Sequence, residues 1–595
     1  MRSIGLREEP LSQAVESPTR GATGKSHRRA LAVGCFLAAS TLILQFGFVF
    51  PTKVEDGLVW IETLVAFLFF FLLVLEIISA ENIKHVLRTR ILEIPLLIVL
   101  AVESVLVGFE VPYHQWTAVQ PVFLVEIYLV SLQAYLLTVL VTRAFQTGRR
   151  LFFLSFSVAA TVAIYFICVI LVGTAALLLP TATGGTLTPN ISWVDALFTA
   201  TSAVCVTGLI VVDTATVFSR FGQSIILLLI QLGGLGIMTY AAIFALGGGP
   251  GIRGRAMLRD FLSAEGLDRV ISLLKAILIT TLICELIGAT ALYGGFRPAC
   301  SSATEALYAS IFHSVSAFCN AGFSIFSNNL ENFAASPLVN LPIIMLIVTG
   351  GIGFSVVYET VQWVRVRITR RAPYGHLSVH TRLVLRVTLV LILAGFVAVL
   401  LAGDWRGSSG AKIVLAGLFQ SVTTRTAGLN TIPLRFLAPW CLVIFMLLMF
   451  IGGGSGGTAG GIKVSTVGLL YHSTKSLMKG RSRVEIMRRT ISERAVNTAF
   501  VISGLAAAYV VCAVVALTWA HPQLPFFDLA FEVFSAFGTV GLSLGVTPQL
   551  STWGKLIIIA TMYLGRVGPL TVFIAMARRR DEALYEYPSA TIVVG

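Results

Sequence analysis

Apolar segments of about twenty residues recur along the chain and are separated by shorter polar connections. They lie at about 30–50, 58–79, 93–110, 121–142, 152–180, 223–246, 270–294, 338–364, 382–402, 434–452 (continuing to about 471), 496–519 and 552–577. A helix needs about 20 apolar residues to cross the hydrocarbon core of a bilayer. The pattern therefore predicts about twelve transmembrane helices in an all-α polytopic membrane protein.

The polar connections differ in their content of lysine and arginine. If the amino terminus is inside and every segment crosses, about 33 of the 43 Lys and Arg residues fall on the inner side. Cytoplasmic loops are enriched in these residues. The sequence therefore predicts a multi-pass protein of the cytoplasmic (inner) membrane with both termini in the cytoplasm. The basic run at 478–489 is then a cytoplasmic anchor, and nucleic-acid binding is not expected.

Composition agrees with a membrane protein. Of the 595 residues, 56% are hydrophobic and 12% are charged, with a mean hydropathy of +0.87. Soluble domains carry about 25% charged residues. The eight cysteines are scattered without a CxxC pair, so neither a disulfide framework nor a metal centre is expected from them. The chain also lacks an HExxH motif or a nucleophile elbow at a plausible depth, so we predict that it is not an enzyme.

Four of the outer connections contain a small-residue stretch that is too short to cross the membrane. Aligned on Gly208, Gly322, Gly428 and Gly541, these stretches are 114, 106 and 113 residues apart. A serine lies six residues before the glycine in three of them, whereas the third stretch keeps the glycine and lacks the serine. The later segments "LGGLG", "TGGIG", "IGGGS" and "LGRVG" align as well. Four such units predict helix–pore-loop–helix repeats with four-fold pseudo-symmetry about the membrane normal.

The repeats divide the chain into segments. We expect a cytoplasmic tail at 1–29, four extra transmembrane helices at 30–150, repeats at 151–250, 265–365, 380–475 and 495–580, and a cytoplasmic tail at 581–595. Four helices before a pore suggest a voltage sensor, but 121–142 lacks an arginine at every third position. A packing or assembly role is therefore favoured for the extra helices.

Four re-entrant loops around one axis predict a water-filled pore. Non-helical backbone at membrane depth is tolerated where protein or water covers it, and carbonyl groups beside flexible glycines can replace the hydration shell of a cation. The candidate filter residues are Val206, Thr207, Gly208, Asn320, Ala321, Gly322, Thr426, Ala427, Gly428, Thr539, Val540 and Gly541. None is charged, which favours a carbonyl ring for a monovalent cation. Close helix packing through glycine is the alternative, which the shared register disfavours.

A Gly-rich stretch interrupts the inner helix of the third repeat. Positions 452–461 contain seven glycines, which is incompatible with a stable straight helix. With Lys463 the stretch suggests a phosphate loop, but its spacing and depth do not fit that motif. An unwound segment that lines the cavity below the filter fits better. The candidate gate residues are Gly452, Gly453, Gly454, Gly456, Gly457, Gly460, Gly461, Lys463 and Arg566.

Arg566 is a charge near the centre of an apolar run. A charge at bilayer mid-depth costs at least about 2.5 kcal/mol. In the repeat alignment, Arg566 occupies the position of Gly234, Gly351 and Gly453, so we expect it to face the central cavity. The carbonyl groups freed by the unwound stretch are the expected acceptors for its five N–H donors.

The four loop stretches resemble the selectivity-filter segments of a known superfamily. "TSAVCVTGLIVVDT", "FHSVSAFCNAGFS", "FQSVTTRTAGLN" and "FSAFGTVGLS" are similar to those of the Trk/Ktr/HKT potassium transporters, most closely the KtrB/TrkH-type membrane subunits. "QLGGLGIMT", "GGGSGGTAGGIK" and "YLGRVGPLT" resemble the inner helices, and the likeness covers about 150–580. It implies that potassium is the transported ion, with no organic cofactor bound by this chain. The intact Gly208 implies potassium over sodium selectivity.

The resemblance also implies a gate and partners. It makes the 452–461 stretch an intramembrane gating loop and Arg566 an electrostatic barrier below the filter, while a purely structural capping role for Arg566 is the alternative. Glu532 and Asp213 resemble family positions and are expected to shape the scaffold or the mouth. The implied partners are membrane lipid, a second copy in a homodimer with one pore per protomer, and a cytosolic ring of RCK-type nucleotide-binding subunits.

Two other functions stay open from the sequence. One is the potassium-binding membrane subunit of an ATP-driven pump, which a companion P-type ATPase would reveal. The other is a sodium-permeable cation transporter of the same superfamily. Four helices before the pore also depart from the two extra helices typical of TrkH-type members.

Overall fold

The chain forms two compact units, Met1–Phe152 and Phe153–Gly595. The computed structural model describes residues 22–48, 50–78, 94, 132–133, 135–136, 139, 158–184, 191–236, 267–369, 376–403, 405, 409–481 and 483–576. The predicted spans at 93–110 and 121–142 lie outside the described residues except for isolated positions. Most of the two predicted tails lies outside them as well.

The first unit contains two described helices that pack against each other, α1 (Ala22–Gly47) and α2 (Thr52–Ile78). Their contact is apolar, with Ala38 of α1 and Val65 and Phe69 of α2 buried in one cluster. The other faces of both helices carry exposed large apolar side chains. Such helices are typical of membrane spans, in agreement with the first two predicted segments.

The second unit is built almost entirely from helices. They are α3 (Val158–Leu177), α4 (Trp193–Val204), α5 (Thr214–Val217), α6 (Arg220–Gly234), α7 (Leu267–Phe296), α8 (Ala303–Cys319), α9 (Pro337–Gly351), α10 (Phe354–Thr369), α11 (Val379–Ala402), α12 (Gly410–Thr423), α13 (Pro439–Phe450), α14 (Val464–Met478), α15 (Glu493–Ala520), α16 (Phe526–Gly538), α17 (Thr552–Val567) and α18 (Pro569–Met576). A short antiparallel hairpin, β1 (Glu485–Ile486) and β2 (Arg489–Thr490), precedes α15.

One order of helices recurs four times in this unit. A long apolar helix (α3, α7, α11 or α15) is followed by a short helix (α4, α8, α12 or α16) and then by an inner helix that begins at α6, α9, α13 or α17. We call the short helices pore helices. Three of them begin at a serine whose hydroxyl accepts a backbone N–H of the first turn, a standard N-cap. Their carboxyl-terminal halves are buried, so all four point into the centre of the unit.

Among the described helices, six are long and apolar enough to cross a membrane. They are α1, α2, α3, α7, α11 and α15, and the bent pair α9–α10 makes a seventh if it is counted as one span. The prediction of an all-α polytopic membrane protein is confirmed. The inner helices α6 and α13 are only 15 and 12 residues long, so neither crosses alone.

Among the described residues, the inner helices of repeats 2, 3 and 4 are broken. The sequence predicts one break, between 452 and 461, and the structure confirms it because no helix is present between Phe450 and Val464. A second break bends α9 and α10 by 108° beside Gly353, which has a φ of 98°. A third separates α17 from α18 at Gly568, whose φ is 89°. These left-handed backbone angles favour glycine. In the fourth inner helix, Pro569 follows Gly568 and has no N–H for a helical hydrogen bond, so it contributes to the break.

The first and fourth repeats are joined by polar contacts. The Lys555 ammonium group at the start of α17 lies 2.6 Å from a carboxylate oxygen of Asp195 in α4, and both side chains are 17% exposed. Farther along α17, the Tyr563 hydroxyl donates to the Ala163 carbonyl group of α3 at 2.9 Å. The fourth repeat therefore packs back on the first and closes the arrangement of repeats.

Candidate ion-conducting site

Each pore helix ends in a left-handed residue that is not glycine. In three repeats, the N–H of the residue that follows it donates to the carbonyl group five positions earlier, as from Thr207 to Ser202 at 2.7 Å. This hydrogen bond is typical of a Schellman helix end. Such angles cost about 1–3 kcal/mol in β-branched residues, so the surrounding structure imposes them. The four residues and their φ angles are Val206 at 58°, Asn320 at 60°, Thr426 at 76° and Thr539 at 50°.

The four aligned glycines follow two residues later and form a closed ring. Their φ angles are 90° at Gly208, 72° at Gly322, 73° at Gly428 and 90° at Gly541. A Cβ built on each glycine would meet the carbonyl oxygen of the residue that precedes the next repeat's glycine. The distances are 2.5 Å from Gly208 to Ala321, 3.0 Å from Gly322 to Ala427, 2.2 Å from Gly428 to Val540 and 2.2 Å from Gly541 to Thr207. The ring therefore runs through repeats 1, 2, 3 and 4 and back to 1.

Serine side chains hold two of the ring glycines from the pore-helix side. Ser202 Oγ accepts the N–H of Gly208 at 3.0 Å, and Ser535 Oγ accepts the N–H of Gly541 at 3.1 Å. Both serines belong to the set that lies six residues before the glycine. The shared register of serine and glycine thus corresponds to a direct hydrogen bond in repeats 1 and 4.

Hydroxyl groups also hold the chain in repeats 2 and 3, but through the residue after the glycine. Ser316 donates to the Phe323 carbonyl group at 2.7 Å, and Thr423 donates to the Leu429 carbonyl group. The third repeat lacks the aligned serine, and Thr423 supplies the hydroxyl group from one position later. The departure of the third loop from the sequence pattern is therefore compensated in the structure.

Polar side chains lie around the ring between the repeats. Asn320 Nδ2 donates to Thr426 Oγ1 at 3.3 Å, which joins the candidate filter segments of repeats 2 and 3. The hydroxyl groups of Thr207 and Thr539, in the first and fourth segments, are buried and have no hydrogen-bond partner among the described residues. Buried hydroxyl groups are normally paired, so these two oxygen atoms are available to a ligand.

A cavity of about 460 Å³ opens over one side of the glycine ring, and we call it the vestibule. Its walls include the ring glycines, the residues two positions after each of them, and the charged side chains of Asp213, Glu331 and Arg435. Asp213 accepts the N–H of Ala215 at 3.0 Å and so caps α5, in keeping with a scaffold role. Partial burial raises the pKa of the Glu331 carboxyl group, although the hydrogen bond from Asn430 opposes the shift.

The Gly-rich loop, residues 451–463, lies at the inner ends of the inner helices. The N–H of Gly454 donates to the Gly351 carbonyl group at 2.7 Å, and that of Thr458 donates to Gly350 at 3.2 Å. These acceptors are the last carbonyl groups of α9, which the helix itself leaves unpaired. The break in the third inner helix thus packs against the break in the second.

The same loop also contacts two of the candidate filter segments. The Thr458 hydroxyl donates to the carbonyl group of Phe318, near the end of pore helix α8, at 3.3 Å. A Cβ on Gly460 would lie 2.2 Å from the Thr539 hydroxyl oxygen. Thr458 and Ala459 are each 1% exposed. The loop therefore lies directly against the candidate filter segments of repeats 2 and 4.

The remaining candidate gate residues lie in or beside the loop. Lys463 Nζ donates to the Ala459 carbonyl group at 2.6 Å, so the amine is used within the loop. The N–H of Gly461 donates to the Gly565 carbonyl group at 3.3 Å, next to Arg566. A Cβ atom built on any of four other loop glycines would come within 3 Å of a backbone oxygen atom of another residue. These glycines are Gly452, Gly453, Gly454 and Gly457. Gly456 is left-handed, with a φ of 74°.

Arg566 lies between the Gly-rich loop and the first repeat and is 4% exposed. Its guanidinium group donates to the Thr458 carbonyl group of the loop and to the Gly233 carbonyl group of α6 at 2.5 Å. A longer contact reaches Gly234 at 3.4 Å. The expectation that loop carbonyl groups accept from Arg566 is confirmed, whereas the acceptors on α6 were not predicted. The arginine thus bonds the first repeat to the third across the inner side of the ring.

Comparison with known proteins identifies the family. The model for the TrkH cation transport protein family matches residues 133–586. The chain belongs to the TrkH family of cation transport proteins. Its members are ion transporters, so the prediction that the chain is not an enzyme is confirmed.

Individual relatives agree with the family assignment. The chain is 38% identical over 447 residues to Ktr system potassium uptake protein B of Bacillus subtilis, covering 74% of this chain and 97% of the relative. It is 38% identical over 415 residues to potassium/sodium uptake protein NtpJ of Enterococcus hirae, covering 68% and 90%. The crystal structure of TrkH from Vibrio parahaemolyticus has the same fold, with a TM-score of 0.58 at 19% identity, covering 82% and 97%.

One buried cation beside the filter was missed by the sequence reasoning. Arg425, three residues before Gly428, is 7% exposed. It donates to the Gly452 carbonyl group of the Gly-rich loop at 3.1 Å and to Thr388 of α11 at 3.4 Å. It therefore bonds the end of the third pore helix to the loop. The available signal was a charged residue, Arg425, in a pore stretch that is otherwise uncharged.

We expect Arg425→Gln to lower the free energy of unfolding by about 1–3 kcal/mol, because it leaves buried carbonyl groups unpaired. The measurement is the thermal unfolding of the purified protein in detergent. Arg435→Gln is the matched control, since Arg435 has a 73% exposed side chain in its ion pair with Asp528. That pair is worth at most about 1 kcal/mol. Equal losses in the two variants would contradict a special role for Arg425.

Proposed function

We propose that this chain carries potassium into the cell and that the glycine ring is its selectivity filter. The observation that supports the filter most directly is the closure of the ring, in which each glycine adjoins the carbonyl oxygen of the next repeat. A ring of backbone oxygen atoms can replace the hydration shell of a cation. The twelve filter residues are uncharged, which suits a monovalent ion, and the free hydroxyl groups of Thr207 and Thr539 add acceptors.

The four pore helices add a favourable field. Each ends directly at its filter segment, so four carboxyl termini converge on the ring. A helix carboxyl terminus carries about half a negative charge. The site therefore attracts a cation without a carboxylate ligand, and a monovalent ion can also leave it again.

The Gly-rich loop and Arg566 are proposed as the gate below this filter. The loop lies against Thr539, and Arg566 is bonded to it through the Thr458 carbonyl group. Both must move, or be displaced, for a hydrated ion to pass along the axis between the inner helices. Lys463 would move with the loop because its amine is bonded to Ala459.

The assembly is also a proposal. The name of the Bacillus subtilis relative assigns that relative to a Ktr system, which supports a partner subunit for this chain. We propose a homodimer in the cytoplasmic membrane, with one pore per protomer, cytoplasmic termini and a cytosolic RCK-type nucleotide-binding ring. The repeats would be bounded at 151–250, 265–365, 380–475 and 495–580, after about four extra amino-terminal spans at 30–150.

The test is ion flux through the full chain in proteoliposomes, with potassium, rubidium, sodium and magnesium compared under equal gradients. We expect potassium and rubidium flux to exceed sodium flux, and no magnesium flux. Similar potassium and sodium flux would support the sodium-permeable alternative, which the name of the Enterococcus hirae potassium/sodium uptake protein favours. Magnesium flux would contradict the carbonyl-ring filter. Co-purification of a P-type ATPase would support the pump alternative.

A further inference from the structure

Two opposite repeats carry the same side-chain contact between the pore helix and the chain beyond the filter. In repeat 2, His313 lies nine residues before the ring glycine and its Nε2 is 3.0 Å from the hydroxyl oxygen of Ser324, two residues after that glycine. In repeat 4, Glu532 and Ser543 hold the same two positions, and the serine donates to the carboxylate at 2.9 Å. We call these two pairs the latches.

The latches face each other across the ring. The contacts of the glycines follow the order of repeats 1, 2, 3 and 4 and then return to 1, so repeats 2 and 4 are opposite. Repeats 1 and 3 have Thr199 and Phe419 at the first latch position, and neither can reproduce the contact of a histidine or a glutamate. The filter thus has a two-fold feature within its four-fold ring.

The hydrogen bonds keep the Ser324 hydroxyl proton within the protein. His313 Nδ1 is 2.8 Å from the Ala309 carbonyl oxygen, which can only accept, so Nδ1 carries the proton in the neutral ring. Nε2 is then an acceptor, and Ser324 donates to it, or alternatively to the Phe326 carbonyl group at 3.3 Å. Ser324 Oγ also accepts the N–H of Phe326 at 3.0 Å. One lone pair of the serine oxygen is left.

Ser543 has the same arrangement. Its hydroxyl donates to Glu532, which also accepts from Thr547, and its oxygen accepts the N–H of Gly545 at 3.0 Å. An alternative donation from Ser543 to Thr547 at 3.2 Å likewise keeps the proton within the protein. Here too a single lone pair is left on the serine oxygen.

Both serines line the vestibule above the glycine ring. His313 and Glu532 behind them are fully buried, and His313 stacks on Phe326 with a ring-centroid distance of 4.9 Å. The buried groups therefore cannot reach the ion path themselves. They act through the serines, whose protons they draw away from the vestibule so that only oxygen lone pairs remain for a cation.

We propose that Ser324 and Ser543 are an opposed pair of cation-contacting oxygen atoms at the entrance of the filter, and that His313 and Glu532 are the positioning residues that orient them. The site would take a monovalent cation that is losing its hydration shell before it enters the glycine ring. This inference rests on the proposed function, since it assumes that ions pass through the ring.

The test is the dependence of flux on potassium concentration, which separates KM from the maximal rate. We expect Ser324→Ala and Ser543→Ala each to raise the KM for potassium about threefold to tenfold, with little change in maximal rate. A rise of this size corresponds to the loss of one contact about as strong as a hydrogen bond. Ser310→Ala is the matched control, because Ser310 in the same pore helix is buried and its hydroxyl donates to the Ala306 carbonyl group of its own helix.

The positioning role of His313 and Glu532 is tested by a second, independent set of variants. His313→Phe keeps the aromatic ring but loses both nitrogen atoms, so we expect the same rise in KM as for Ser324→Ala. The double variant should be no worse than either single variant, because both act through one oxygen atom. Glu532→Gln retains an acceptor oxygen and should raise the KM less than Glu532→Ala.

The outcomes separate this inference from the filter itself. An unchanged KM in both serine variants, or additive effects in the double variant of His313 and Ser324, would overturn the latches. If Gly541→Ala alters selectivity while both serine variants leave the KM for potassium unchanged, the filter proposal stands and the latch proposal fails. If none of the variants differs from the original chain, both fail. The serine variants keep the test decisive if His313→Phe fails to fold.

Discussion

Gly541→Ala is expected to lower the selectivity of transport for potassium over sodium by at least about tenfold. The added Cβ would lie 2.2 Å from the Thr207 carbonyl oxygen, and the backbone there has a φ of 90°. The clash displaces a carbonyl oxygen atom of the ring, which can replace part of the hydration shell of a cation. A loss of about 1.4 kcal/mol in the preference for potassium over sodium corresponds to a factor of ten. Because the contact is with backbone, the ring must open between repeats 4 and 1. The measurement is the ratio of potassium to sodium flux in proteoliposomes.

Gly184→Ala is the matched control for this prediction. Gly184 also has a left-handed backbone, with a φ of 69°, but a Cβ there would meet no atom of the described residues within 4 Å. It therefore carries the conformational cost without the steric one, and its flux ratio should equal that of the original chain. If both alanine variants lose selectivity equally, strain and not ring geometry is the cause, and the filter assignment fails.

The glycine ring was accessible to sequence reasoning because it is repeated. A single glycine in an apolar chain predicts little, whereas four at spacings of 114, 106 and 113 residues share a register that packing alone does not require. The positive φ angles at all four positions agree with the freedom that glycine was expected to supply. The broken third inner helix was predictable for a similar reason, since seven glycines in ten positions oppose a helix.

The left-handed residues before the glycines were not predictable in this way. Val206, Thr426 and Thr539 are β-branched, and local propensity disfavours a positive φ at such residues. The angles arise from contacts that a single segment does not encode, namely the helix end and the neighbouring repeat. Local rules therefore fail where four segments converge, as they often do at functional sites.

Long-range side-chain contacts escaped prediction for the same reason. The alignment placed Arg566 among the inner-helix glycines but gave no sign that α6, 333 residues earlier in the chain, would supply an acceptor. The bond from Arg425 to Gly452 crosses from the end of a pore helix to the Gly-rich loop. The contact of Ser543 with Glu532 needs the chain to turn back past the filter. Each depends on the packed fold and not on local periodicity.

Arg566→Gln is expected to raise potassium flux at least about tenfold. Two unit charges about 5 Å apart at an effective dielectric constant of about 20 repel by about 3 kcal/mol, so a fixed cation beside the path is a substantial barrier. Glutamine removes the charge and retains one amide donor for the Thr458 carbonyl group, which Arg566 now bonds. The measurement is the initial rate of potassium flux in proteoliposomes at equal protein density.

Arg566→Lys separates the electrostatic barrier from helix capping. Lysine keeps the charge but cannot reach Thr458 and Gly233 with the planar fork that now bonds both. If the charge is the barrier, flux stays low in the lysine variant and rises in the glutamine variant. If the hydrogen bonds hold the loop closed, flux rises in both and the thermal stability of both falls. Low flux in both variants would exclude Arg566 from the gate, because neither its charge nor its hydrogen bonds would then limit the passage of ions.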